Sequence, residues 1–182
     1  MKSFGPGMTN IVDNEGADLA ALTAFATTTD ANAIIAAATA AAGGFGWAVL
    51  RKTVAFDGAA GSGAVGAVAL FTVTGAVIVR LVPICTEDLV CGAGATISVG
   101  TAATVAGLIA VTGATDIDAG DIWFAAAPAT VLDTLTNSMT EMVIGDGADI
   151  QADVLVDDIT DGTIVFALWW TPVTSNGLVV AV

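Results

Sequence analysis

Carboxylates alternate beside a glycine in Asp116-Ile117-Asp118-Ala119-Gly120-Asp121, which is how a calcium loop begins. Calcium takes about six to eight oxygens, however, and the position where an EF-hand loop needs its bidentate glutamate is Ala127. A solvated acidic turn opening the run Asp121-Ile122-Trp123-Phe124 accounts for the same residues. Asp157-Asp158 with Asp161 poses the same choice, and Gly162 directly after it favours a turn between strands. Paired carboxylates also hydrolyse glycosides, but only at a fixed separation across a sugar. Sugar-binding proteins add exposed aromatic platforms, whereas this chain has no Tyr and sets Trp47, Trp123, Trp169 and Trp170 within apolar runs that suit a core or an interface.

Histidine is absent, which removes the commonest general base and neutral metal ligand, and with them Ser-His-Asp and Cys-His catalysis. Cys85 and Cys91 flank Thr-Glu-Asp-Leu-Val. That spacing is neither a redox pair nor a zinc knuckle; it allows a disulfide closing a small loop, and equally two buried free thiols. The glycine-rich stretches 58–66 and 92–94 lack the Lys-Ser/Thr ending of a phosphate loop and read as loops and strand edges. The expectation is a protein without catalytic residues, cofactor or metal site.

Composition points to partners instead. Of 182 residues, 55% are apolar and 12% charged, with four Lys and Arg against eighteen Asp and Glu for a net charge of −14. So apolar a chain is expected to hide surface in an oligomer or assembly, although its many alanines contribute little burial energy. Its charge repels phosphate backbones, so nucleic acid is not an expected partner. Residues 31–50 are uncharged and followed by Arg51-Lys52, as a membrane span would be, yet Ala dominates them and Gly43-Gly44 and Gly46 break them. Met1 to Gly7 lack the apolar stretch of a signal peptide. No membrane association is expected.

The elements divide the chain into two parts. Residues 1–45, rich in Ala, Thr, Asp and Asn, form an N-terminal arm with possible short helices at 18–25 and, from an Asp30 cap to Gly43-Gly44, at 31–42. Their thin apolar faces would need a neighbour for cover. Residues 46–182 read as all-β: short apolar runs punctuated by Gly, Asp and Thr, with no helix long enough for a βαβ crossover. The run 64–84 reads as two buried strands bent at Gly75. Further strands are expected at 45–56, 95–100, 104–111, 119–126, 139–144, 149–156, 162–170 and 178–182. In 149–156, Ile150, Ala152, Val154 and Val156 should share a buried face and Asp149, Gln151 and Asp153 a wet one. Residues 162–170 are apolar on both faces, so that strand should lie centrally or meet a partner. The fold expected is a two-sheet β-sandwich or jelly roll of about nine strands behind an Ala-rich, partly helical arm.

From Lys52 onward the order of motifs resembles the head-decoration, or cement, proteins and minor capsid proteins of tailed bacteriophages. The residues that carry the resemblance are Lys52-Thr53-Val54-Ala55-Phe56, Gly66 to Gly75, Val82-Pro83-Ile84-Cys85, Ile97-Ser98-Val99-Gly100-Thr101, Ile117 to Trp123, Asp158 to Thr163 and Trp170-Thr171-Pro172, across about 130 residues. The resemblance implies a β-barrel or jelly-roll body, a homotrimer, and a place on the capsid surface of the virion bound to the major capsid protein. The arm lies outside it. A different class, a receptor- or glycan-binding adhesion module of a phage tail or cell surface, fits the same composition.

Overall fold

The computed structural model describes residues 46–129, 139–145 and 147–182, so the expected arm and its helices lie outside the described residues. The regular elements of the described chain are strands, apart from one 3-10 turn, Ala114–Asp116. The strands are β1 (Ala48–Ala55), β2 (Gly66–Thr74), β3 (Val77–Cys91), β4 (Thr96–Thr101), β5 (Thr104–Gly113), β6 (Glu141–Ile144), β7 (Ile150–Leu155), β8 (Ile159–Pro172) and β9 (Leu178–Ala181). They build two antiparallel sheets, ordered β1-β8-β3-β6 and β5-β4-β7-β2-β9.

The pairs β4–β5, β3–β6, β2–β7 and β1–β8 nest inside one another, as in a single long hairpin. Rolling that ribbon over brings β3 beside β8 and β4 beside β7, which closes the two sheets. This is the eight-strand jelly roll, with β9 appended on the β2 edge. The bend at Gly75 falls between β2 and β3, where its φ of 65° suits glycine.

Period-two alternation fixes the core between the sheets. Leu50 and Val54 of β1, Val77, Val79 and Leu81 of β3, and Ile164, Phe166, Leu168 and Trp170 of β8 face Val68, Leu70, Phe71, Ile97, Val99, Ile150, Ala152 and Val154 from the other sheet. Each large side chain so buried contributes about 1.5–3 kcal/mol before the chain's ordering entropy is set against it. Strand β8 runs centrally, between β1 and β3, the first of the two placements expected of it.

Three expectations are corrected. Residues 119–126 form no strand, only an isolated bridge of Ile122 to Ile84 and to Ala129. Trp123 N–H reaches the Pro83 carbonyl at 3.0 Å and Cys85 N–H reaches the Asp121 carbonyl at 2.9 Å, but Pro83 has no N–H to return and the ladder stops. Val156 leaves the face it should share with Ile150, Ala152 and Val154: it is exposed, at φ 75°, in the turn after β7. Asp153, expected to be wet, is buried.

Candidate interaction surfaces

The ends of β1, β3, β5 and β7 and the starts of β2, β4 and β8 meet at one end of the sandwich, and the acidic runs picked out in the sequence gather there. Each serves a turn. Asp57 Oδ1 accepts from the Ser62 hydroxyl at 2.6 Å and from Ala59 N–H at 2.9 Å, and the Ser62 hydroxyl chiefly holds its carboxyl below the usual range. Asp121, buried, accepts from Asp118 N–H at 3.1 Å, and Asp88 accepts from Ala119 N–H at 2.7 Å. Asp158 accepts from Val65 N–H at 2.8 Å, Asp157 from Asp158 N–H at 2.9 Å, and Asp161 from Gly162 N–H at 2.9 Å. Asp116 ends the 3-10 turn, exposed. Among the described residues no group of three or more Asp, Glu, Cys or His is placed to hold a metal ion.

Apolar tips stand among these acids. Val65, Val90 and Val156 are each more than half exposed. Val156 is the central residue of a three-residue turn, in which Asp157 N–H donates to the Leu155 carbonyl at 3.0 Å. A β-branched side chain at positive φ is strained, so the turn holds a valine outward at a cost in stability.

A second surface is the outer face of the β1-β8-β3-β6 sheet, where the residues between the core positions line up in rows. One row reads Val49, Trp169, Arg80, Glu141; the next reads Thr171, Ile78, Val143, with Trp47 beside it; two more read Arg51, Ala167, Val82 and Thr53, Val165, Ile84. Arg80 donates to Glu141 Oε2 through Nη2 at 2.6 Å and Nε at 2.9 Å, and its guanidinium lies 4.6 Å from the centre of the Trp47 ring. Val82, Ala167 and Phe124 are buried yet lie outside the core between the sheets. Trp47, Ile84 and Val143 remain exposed. The sequence placed Trp169 and Trp170 together in a core or an interface; as neighbours on a strand they face opposite ways, Trp170 into the core and Trp169 outward. The ion pair was not legible, because Glu141 follows a long connection and nothing local marks its register.

The cysteines are two free thiols, but not the buried pair offered as the alternative to a bridge: Cys85 is buried and Cys91 only partly so. Both lie on β3, which runs further than its apolar pattern indicated, and six residues of extended chain separate them by roughly 15–20 Å, beyond the ~7 Å Cα limit for a bridge. Burial raises the Cys85 thiol above its ordinary value, with Asp88 and Asp121 adding to the effect; burial and Asp157 do the same for Cys91.

A shallow cleft of about 220 Å³ opens between β1 and β2. Lys52 enters it and donates to the Val182 carbonyl oxygen. An inward lysine on an edge strand is also a guard against unwanted strand pairing. Among the described residues no helix is long and apolar enough to cross a membrane. Comparison with known proteins gave no match: no family model, no curated protein and no solved structure corresponds to this chain.

Proposed function

We propose that the protein is a capsid decoration (cement) protein of a tailed bacteriophage, which binds the outer surface of the major capsid protein's shell as a homotrimer and stabilises it. The observation that carries this reading is the polarity of the jelly roll: one end concentrates carboxylates and exposed valines, with Lys52 in the cleft beside it, while Arg51 and Arg80 stand on the sheet face. Such an end fits a partner surface that is cationic and partly apolar. Its carboxylates are held in turns rather than converging on a substrate, which supports a mechanical role. The mechanism is linkage: a protein that binds the closed shell and not the opened one lowers the free energy of the closed shell by its binding free energy.

Sedimentation with bare shells, assembled from the major capsid protein encoded by the same phage, tests the reading. The protein should travel with the shells, and binding should weaken as salt rises. Protein that stays in the supernatant at every salt concentration overturns it.

A second reading, an adhesion module that binds glycans, draws on Trp47 and Trp169 at the outer sheet face beside Arg80 and Glu141. The Arg80 guanidinium already covers one face of the Trp47 ring, which leaves less platform for a sugar. Strong signals on a glycan array, with no shell binding, would favour it.

A further inference from the structure

We infer that Asn176 is a self-modification site: its side-chain amide is lost to attack by the Gly177 backbone nitrogen, at a rate set by how often the turn holding both residues lifts off Gly75 and Ala76. The inference is independent of the function proposed above.

The chemistry starts in the sequence. Asn176 precedes Gly177, whereas Asn10, Asn14, Asn32 and Asn137 precede Ile, Glu, Ala and Ser. Asparagine is a thermolabile residue, and a following glycine, with no Cβ and the freest backbone, lets its nitrogen reach the side-chain carbonyl most readily. Once base removes the Gly177 amide proton, the nitrogen bonds to Asn176 Cγ, the bond from Cγ to the side-chain nitrogen breaks, and ammonia leaves with a proton from solvent. Water then opens the cyclic imide at either carbonyl, giving aspartate or its isomer with the main chain routed through Cβ. Both products add a negative charge, and no oxidant, reductant or cofactor takes part.

The fold explains why glycine stands there. Thr174 to Gly177 form the turn between β8 and β9, closed by Gly177 N–H donating to the Thr174 carbonyl at 2.9 Å. A methyl group on Gly177 would stand 2.7 Å from the Ala76 carbonyl oxygen and 2.9 Å from Pro172 Cβ, so glycine is what lets the turn lie against the β2–β3 connection. Packing thus selects the residue that makes Asn176 reactive.

The same packing restrains the reaction. Val173 and Thr174 N–H donate to the Ala76 carbonyl at 2.8 and 3.2 Å, and Ala76 N–H donates to the Thr174 hydroxyl at 2.8 Å. Asn176 is exposed, but its Oδ1 rests on Gly75, where an added methyl would meet it at 2.7 Å. Gly177 is buried, and the proton that must leave is the one held by Thr174. Ring closure needs that proton open to base and Cγ brought over the nitrogen, which requires the turn to open locally.

Peptide mapping by mass spectrometry tests this on the full chain at mildly alkaline pH, native and in guanidinium chloride, beside native Thr174→Val and Thr174→Ser. Native wild type should lose ammonia at Asn176 at least about tenfold more slowly than the unfolded chain. T174V leaves Ala76 N–H without its acceptor, so its native rate should rise at least about threefold, while T174S keeps the hydroxyl and the wild-type rate. Equal rates in native and unfolded wild type, no reaction at Asn176 even when unfolded, or folded T174V reacting no faster than T174S would overturn the inference. The wild-type comparison decides it even where T174V does not fold.

Discussion

Two fully buried tryptophans show how a single hydrogen bond separates similar residues. Trp123 Nε1–H donates to the Thr112 hydroxyl at 2.8 Å, whereas Trp170 Nε1–H has no partner among the described residues. Replacing either by Phe removes similar buried area, but only at position 123 does it also break a satisfied pair. Trp123→Phe should therefore lower stability in urea by about 1–2 kcal/mol more than Trp170→Phe. Val156 makes the opposite case, because glycine adopts its φ of 75° without strain and the exposed side chain buries little. Val156→Gly should raise the unfolding free energy measured in urea, by about 0.5–1 kcal/mol after the entropy of the new glycine is counted. The thiols supply a pH-dependent test. Their folded values are raised, so the unfolded chain loses these protons first; the contribution is complete below the ordinary thiol range and is lost as pH rises through the folded values. A thiol-reactive disulfide reagent should find no rapidly reacting group in the native protein at neutral pH and two after denaturation.

At the scale of the element, the strands were legible where period-two alternation governs and illegible where a partner decides. β1, β2, β4, β5, β7, β8 and β9 fall close to where apolar runs and glycines put them, because each has one face in the core. β3 continues through Thr86, Glu87 and Asp88 to Cys91, since pairing with β8 carries polar residues along an outward, exposed stretch. Ala119 to Ala126 has strand composition but meets the one residue of β3 that cannot donate. The candidate acids were visible as residue types, and their gathering at one end was not, because it follows from the order in which the ribbon rolls. The described β body should be independently stable. A chain beginning at Gly46 should keep a β-type circular dichroism spectrum and a cooperative melt, and a helical spectrum would count against the two-part division.

For the whole molecule, the rolled hairpin carries the acidic end and the aromatic, cation-bearing face on the same two hydrogen-bonded sheets. In the decoration reading the acidic end meets the shell, and copies joined in one homotrimer reinforce each other's binding through multivalency. Scanning calorimetry of bare shells titrated with the purified protein tests the central claim most directly. The shell's own transition should move to higher temperature as protein is added and level off once its sites are filled, while a shell transition that stays fixed at saturating protein would contradict the decoration function.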